Sequence, residues 1–124
     1  MSKISILLTF AKLMAEQSQV KRARVGAVVR TKKGEIYGGC NQAKTHPHLA
    51  KLTDYPFLHA ESAAILKVGL DNCAGATLVV TRINADNELT MAKPCPTCMK
   101  LISLAKIKTI YYTNWKGEVN VQQG

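Results

Sequence analysis

Three residues of the types that bind transition metals are grouped in two short motifs of this sequence. The first motif is His59-Ala60-Glu61, and the second is Pro94-Cys95-Pro96-Thr97-Cys98. Two cysteines three positions apart lie on one face of the first turn of a helix, so both sulfurs can reach one ion. With the imidazole of His59 they form a nitrogen and two-sulfur set, which suits tetrahedral Zn²⁺ and leaves a fourth position open. An open position is typical of a catalytic zinc site.

Glu61 follows His59 by two positions and supplies a carboxylate beside such a site. A carboxylate there is a candidate general acid and base for a water activated by the metal. On an ideal helix, however, residues two apart point about 200° away from each other. The spacing therefore does not by itself bring Glu61 and His59 to one site. A distorted first turn or the length of the glutamate side chain must do so.

The Cys-x-x-Cys pair has other interpretations when it is taken alone. It could be a redox pair, or it could be half of a structural zinc site. A structural site needs a fourth protein ligand, which Cys40, Cys73, His46 or His48 could supply. The protein would then be a non-catalytic, zinc-stabilised binding module.

The elements that must position these motifs follow from hydrophobic periodicity and from turn residues. The sequence predicts that each metal motif opens a helix. A strand, a helix and a strand in succession predict a parallel βαβ unit, and two earlier strands predict a hairpin. The expected fold is α/β, with three α/β/α layers and a mixed central sheet. Helices are predicted over residues 4–17, 59–68 and 96–105, and strands over residues 25–30, 35–40, 76–83 and 109–113. Residues 84–93 are predicted as a polar loop, and residues 118–121 as an edge strand or a frayed tail.

Length and composition fit one globular domain with an anionic partner. The chain has 124 residues, of which 47% are hydrophobic and 20% are charged, and its formal charge is +9. Such a surplus of Lys and Arg predicts binding to a phosphate, a nucleic acid or an acidic surface. There is no run of about 18 apolar residues, so no membrane partner is expected. Four cysteines and no signal-peptide pattern lead us to expect a cytoplasmic protein.

Together, the two motifs resemble the H-x-E…P-C-x-x-C signature of the zinc-dependent cytidine and deoxycytidylate deaminase superfamily. The similarity extends to core strands, because residues 24–28 (RVGAV), 74–81 (AGATLVVT) and 106–112 (KIKTIYY) resemble strands of that family. The run from Pro94 to Cys98, followed by Ile102, is most similar to the deoxycytidylate (dCMP) deaminases. The resemblance covers most of residues 20–113.

The resemblance implies a single zinc-dependent deaminase domain over residues 1–124. Its reaction would be hydrolysis of a cyclic amidine C–N bond in a cytosine nucleotide, dCMP to dUMP with release of ammonia. Zn²⁺ would be held by His59, Cys95 and Cys98, and Glu61 would carry the protons. The resemblance also implies at least a homodimer.

Substrate contacts are implied at four positions of this sequence. Asn41 ends the second strand, where the family places a substrate-contacting Asn, and Ala60 lies between the two site residues of the first motif. The family's nucleotide enzymes hold the 5′-phosphate with basic residues near the first strand, which favours Arg22 or Arg24. The stretch 84–93 is longer than the family's usual junction, so Arg82 or Lys93 could add phosphate contacts.

Two departures from the family pattern bear on regulation. Gln42 stands where the family usually has glycine, and only 17 residues separate Asn41 from His59. We therefore do not expect feedback control by a nucleotide triphosphate.

The alternative substrate is cytosine or adenine in single-stranded DNA or RNA, with the base flipped out. The charge of +9 favours this alternative, whereas an aromatic content of 6% argues against it.

Overall fold

A computed structural model describes residues 3–20, 23–42 and 59–124 of the chain. Its three helices and six strands include every predicted element. Each end of the predicted helices, and of the strands predicted over residues 25–30, 35–40, 76–83 and 109–113, lies within one residue of its expected position. In chain order they are α1 (Lys3–Glu16), β1 (Arg24–Arg30), β2 (Ile36–Cys40), α2 (Ala60–Val68), β3 (Thr77–Ile83), β4 (Leu89–Thr90), α3 (Pro96–Leu104), β5 (Thr109–Thr113) and β6 (Val119–Gln123). None of the described helices is long and apolar enough to span a bilayer.

The strands form one mixed sheet in the order β2-β1-β3-β5-β6, with β4 paired to β3. Strands β3 and β5 are parallel, and α3 connects them, so the predicted βαβ unit is confirmed. Strands β1 and β2 form the predicted antiparallel hairpin. The tail forms an edge strand, because β6 pairs with β5 along its whole length.

Helices cover both faces of this sheet, as the three-layer prediction requires. Side chains alternate between the two faces of a strand. Ala27 and Leu78 therefore pack in the larger core with α2 and α3. Their neighbours Val28 and Val79 pack against α1 on the opposite face. We call these the α2/α3 face and the α1 face.

Gly26 allows α1 to lie directly on the sheet. A Cβ atom at this position would lie 2.0 Å from the carbonyl oxygen of Ala11 and 2.4 Å from the amide nitrogen of Ala15. Both contacts are with backbone atoms of the helix, which cannot move aside as a side-chain end can. The close approach of helix and strand therefore requires glycine.

The stretch 84–93, predicted as a loop, instead contains the short strand β4. Arg82 pairs with Thr90 and Ile83 with Leu89, so β3 and β4 form a hairpin. Two paired residues give no measurable alternation in the sequence, which is why the strand escaped prediction. The hairpin extends the sheet beside the end of β3. The chain that leaves β4 then leads to the second metal motif.

Candidate active site

The first motif is placed by the start of α2. His59 is the N-cap of this helix and has extended backbone angles, φ −76° and ψ 154°. Its carbonyl oxygen accepts a hydrogen bond from the amide of Ala63 at 2.9 Å, while its own backbone lies outside the helix. The 200° separation expected for residues two apart holds only when both are helical. Because His59 is not, its side chain and that of Glu61 line the same cavity.

The second motif begins α3 in the same way. Cys95 is the N-cap, with φ −69° and ψ 165°, and Pro96 occupies the first turn. Proline suits this position because its missing N–H would have no partner within the helix. Cys98 is the third residue of α3 and is buried. The two sulfurs thus come from one helix start, as the spacing predicts.

The side chains of His59, Cys95 and Cys98 converge from the two helix starts. The Nδ1 atom of His59 lies 3.1 Å from the Cys98 sulfur and 3.7 Å from the Cys95 sulfur. All three donor atoms lie within 4.8 Å of one another. Ordinary Zn–N and Zn–S bonds with tetrahedral angles place nitrogen and sulfur about 3.5 Å apart. The donor set therefore fits one zinc ion in both type and spacing.

The described part of the chain adds no fourth protein donor to this group. Cys73 is fully buried in the core on the α2/α3 face, and Cys40 lies at the end of β2, so neither belongs to the cluster. His46 and His48 lie outside the described residues. Within those residues, the arrangement leaves a coordination position open.

Glu61 is buried beside these donors, with 5% of its surface exposed. Burial raises the pKa of its carboxyl group, although a backbone hydrogen bond and the nearby His59 oppose the shift. Burial also raises the pKa of the Cys98 thiol, and Glu61 and Cys95 raise it further through like charge. A nearby cation would stabilise the charged forms of both Glu61 and Cys98, which burial disfavours. The electrostatics of the cluster therefore fit a divalent metal.

A cavity of about 240 Å³ opens in front of His59, Glu61 and Cys95. Two cationic side chains line it: Arg82 near the end of β3 and Lys93 after β4. Arg82 is half-buried and Lys93 is exposed. The remaining wall is formed by Ala23, Val25, Asn41, Ala60, Met91 and Ala92. The sequence predicted Arg82 and Lys93 only as additional phosphate contacts. It did not predict that Met91 lines the cavity, because residues 84–93 were expected to form a loop.

Asn41 and Ala60, two of the expected substrate contacts, line this cavity. The side chain of Asn41 is firmly held. Its Oδ1 accepts hydrogen bonds from the amide of Val25, at 2.9 Å, and from the hydroxyl of Ser18, while its Nδ2 donates to the carbonyl of Ala23. The end of β2 is thereby fixed to the start of β1 at the mouth of the site.

Arg24 does not line this cavity, contrary to what its proximity in sequence led us to expect. It shares the α1 face with Gly26 and Val28, whereas its neighbour Val25 faces the cavity. The Arg24 guanidinium instead donates hydrogen bonds to the carbonyl of Asn84 and to Oδ1 of Asn87. The other expected phosphate contact, Arg22, lies outside the described residues.

Comparison with protein families identifies the kind of site. Residues 1–114 match the family model described as the cytidine and deoxycytidylate deaminase zinc-binding region. The chain belongs to this family. It is a zinc-dependent deaminase of nucleosides or nucleotides, and its zinc-binding region includes the cluster of His59, Cys95 and Cys98.

Solved structures show the same fold as this deaminase. A cytidine deaminase from Burkholderia pseudomallei superposes with a TM-score of 0.72 at 23% identity, covering 99% of this chain and 93% of that chain. A dCMP deaminase from the cyanophage S-TIM5 has a TM-score of 0.65 at 29% identity, covering 93% and 86%. RibD from Acinetobacter baumannii has a TM-score of 0.56 at 21% identity, with 88% of this chain matching 27% of that chain. No curated protein sequence matches this chain.

Proposed function

We propose that this deaminase hydrolyses a cytosine nucleotide, dCMP, to dUMP and ammonia. The observation that carries the proposal is the pair of cations, Arg82 and Lys93, in the same cavity as Glu61 and the metal-binding cluster. A phosphate monoester carries about −1.5 to −2 charge at pH 7. Two cations suit that charge, whereas a nucleoside offers nothing for them to pair with.

Similarity to known proteins supports a nucleotide as the substrate. The dCMP deaminase from the cyanophage S-TIM5 shares 29% identity with this chain, against 23% for the cytidine deaminase from Burkholderia pseudomallei. The run Pro94-Cys95-Pro96, with Ile102 further along the helix, adds to the resemblance with dCMP deaminases.

In this proposal His59, Cys95 and Cys98 hold the zinc ion. When bound, Zn²⁺ lowers the pKa of a coordinated water towards neutrality and so supplies a nucleophile. The cavity then orients cytosine with C4, the carbon that carries the amine, towards the cluster. Asn41 and Ala60 contact the sugar or the base edge. The Asn41 amide nitrogen has two hydrogens, so it can hold Ala23 with one and donate to substrate with the other.

Glu61 moves the protons of the reaction. It accepts a proton from the attacking water and delivers it to N3 of the ring while oxygen adds to C4. It then transfers the second proton to the exocyclic amine, the C4–N bond breaks, and ammonia leaves as C4 becomes a carbonyl. A buried carboxyl group whose pKa burial raises suits this task, because it takes up a proton more readily than an exposed carboxylate does.

Ammonia release measured side by side from dCMP, deoxycytidine, CMP and a single-stranded oligonucleotide tests the proposal. We expect kcat/KM for dCMP to exceed that for deoxycytidine by at least about tenfold, since a single hydrogen bond to a charged group is worth about 1.5–3 kcal/mol. Equal values for the two would contradict the role of the cations. Preference for the oligonucleotide with steep salt dependence would instead indicate a nucleic-acid deaminase.

The proposal includes a homodimer or larger homo-oligomer, as the family resemblance implies. The helix α1 exposes three large apolar side chains at helical spacing, Ile6, Phe10 and Leu13. An exposed apolar stripe of this kind is typical of a contact surface between proteins. Sedimentation at micromolar concentration would measure the assembly directly. A monomer at that concentration would contradict this part of the proposal.

A further inference from the structure

Arg24 connects β1 to the turn of the β3–β4 hairpin. Its Nη2 atom lies 2.8 Å from the carbonyl oxygen of Asn84 and 2.6 Å from Oδ1 of Asn87. These two acceptors lie on either side of the turn, 60 and 63 positions away in sequence. One guanidinium thus links the first core strand to both ends of a turn that begins directly after Ile83, the last β3 residue paired with β1.

The turn that Arg24 holds has a definite internal structure. Oδ1 of Asn84 accepts hydrogen bonds from the amides of Asp86, at 2.9 Å, and Glu88, at 3.0 Å. Asn87 has a left-handed backbone, with φ 61°. Asparagine tolerates this conformation better than most residues. The turn therefore presents the Asn87 side chain as a fixed acceptor for Arg24.

The same hairpin continues into the wall of the active-site cavity. After β4 the chain passes through residues 91–93, all of which line the cavity. Beyond the turn, this segment is held by Thr113 of β5, whose carbonyl accepts from the amide of Ala92 at 2.8 Å and whose hydroxyl donates to Thr90 at 2.6 Å. The β3 arm of the hairpin is fixed in the sheet by β1 and β5. The β4 arm has a ladder of only two residue pairs to β3, so its position depends more on Thr113 at one end and on the turn held by Arg24 at the other.

We propose that Arg24 is a positioning residue for the substrate phosphate. By fastening the turn to β1, it fixes the path of the chain between Arg82 on β3 and Lys93 after β4, and so sets the position of the two cations relative to each other at the cavity. Arg24 itself stays on the α1 face and does not touch the nucleotide. The inference rests on the proposed function, because it assumes that Arg82 and Lys93 bind the phosphate.

Substitution of Arg24 should change selectivity between nucleotide and nucleoside. For Arg24→Ala we expect KM for dCMP to rise by about tenfold, an effect of the size of one charge-assisted hydrogen bond. The kcat for either substrate and the KM for deoxycytidine should stay unchanged. Arg24→Lys, which keeps the charge and reaches one acceptor, should restore part of the affinity. Arg30→Ala is the matched control, because Arg30 lies on the same strand and face at the opposite end. It removes the same charge and should leave both substrates unaffected.

A substitution of Asn87 tests the hydrogen bonds between Arg24 and the turn, which we call the clamp, separately from the charge of Arg24. Asn87→Gly removes the side-chain acceptor, and glycine adopts the positive φ without strain. We expect it to raise KM for dCMP, and the double variant with Arg24→Ala to be no worse than Arg24→Ala alone, because the two residues act as a unit. Additive effects of the two substitutions would overturn the clamp.

Hydrogen exchange tests the clamp without any substrate. In Arg24→Ala, the amides of Asp86, Glu88 and Ala92 should exchange faster than in the wild type, and in Arg30→Ala they should not. Unchanged exchange, or an equal loss for dCMP and deoxycytidine, would overturn the inference. Failure of the proposed function has a different signature, since the wild type would then show no preference for dCMP and Arg82→Ala would not alter selectivity.

Discussion

The two faces of the sheet differ most at the end where β1 pairs with β3. There Val25 is opposite Arg82 and Arg24 is opposite Ile83. One step along either strand moves a side chain from the cavity to the α1 face, so Arg82 lines the cavity and Arg24 does not. Two arginines at neighbouring places in the sheet therefore have different surroundings. The side of the sheet, rather than distance along the chain, decides which of the two arginines lines the cavity.

The faces also differ in what they bury. The α2/α3 face buries ionisable groups, Glu61 and Cys98, whose charged forms burial disfavours. Among the described residues, the α1 face buries no ionisable side chain, and Gly26 brings the backbone of α1 still closer to its strand than Gly39 brings that of α2 on the other face. Buried ionisable groups that need a nearby cation indicate a functional site. A glycine at a close contact between a helix and a strand indicates a packing requirement. Substitutions on the two faces should accordingly affect different measurements.

The largest effect is expected at Glu61. Glu61→Gln keeps the shape of the side chain and the three zinc donors but cannot accept a proton. We expect kcat for dCMP to fall by about 10²–10⁴-fold. Zinc content, measured by elemental analysis, should remain at the wild-type level. Glu118→Gln removes an exposed carboxylate on the far edge of the sheet and should leave kcat unchanged. Retained turnover in Glu61→Gln would show that another group moves the proton.

On the α1 face, Gly26→Ala should affect stability rather than chemistry. The new methyl group would meet the backbone of α1, so we expect the free energy of unfolding to fall by about 3 kcal/mol, measured by denaturant titration. Gly38→Ala provides a graded control. Its Cβ would meet the side-chain atoms of Phe10 and Met14, which can shift, so we expect a loss of about 1 kcal/mol. A larger loss at Gly38 than at Gly26 would contradict this view of how α1 packs.

The effect of the two cavity cations, Arg82 and Lys93, on nucleotide binding should be separable from their effect on catalysis. We expect Arg82→Ala to lower kcat/KM for dCMP by about tenfold or more and to leave deoxycytidine nearly unaffected, because only the nucleotide offers a phosphate. Steady-state kinetics on both substrates measures the ratio. Lys100→Ala, which removes an exposed cation of α3 outside the cavity lining, is the control. An equal fall for both substrates would mean that Arg82 supports the fold rather than the phosphate.

The smallest effect is expected at Thr81, on the α1 face. Its hydroxyl is buried, and within the described ranges it has no hydrogen-bond partner. An unsatisfied buried polar group costs stability, so Thr81→Val should raise the free energy of unfolding by about 1 kcal/mol. Thermal unfolding would measure this as a small rise in Tm with no change in kcat. A fall in Tm would show that the hydroxyl is satisfied in solution.

Much of this organisation could be predicted from the sequence, because local patterns determine it. Helical periodicity and the residues at helix starts predicted that both metal motifs open helices. The order of strands and helix predicted the βαβ unit. The extended backbone of His59 was harder to predict, since the motif alone does not say whether the helix begins before or after it. That one residue decides whether Glu61 shares the cavity.

The faces of β1 could not be predicted, for a physical reason. This strand is buried on both sides, so its sequence RVGAVVR shows no polar alternation. Nothing local distinguishes the side of Arg24 from that of Val25. Strand β4 was missed because its two residues are held by partners in β3 and by Thr113, far away in sequence. Both differences between expectation and structure come from tertiary contacts.

A crystal structure of the zinc-loaded Glu61→Gln variant with dCMP tests the central claim most directly. The account predicts cytosine C4 beside the cluster of His59, Cys95 and Cys98, with the 5′-phosphate within hydrogen-bond distance of Arg82 and Lys93. Arg24 should remain bonded to the turn on the α1 face. A phosphate bound by Arg24, or one turned away from both cations of the cavity, would contradict the account.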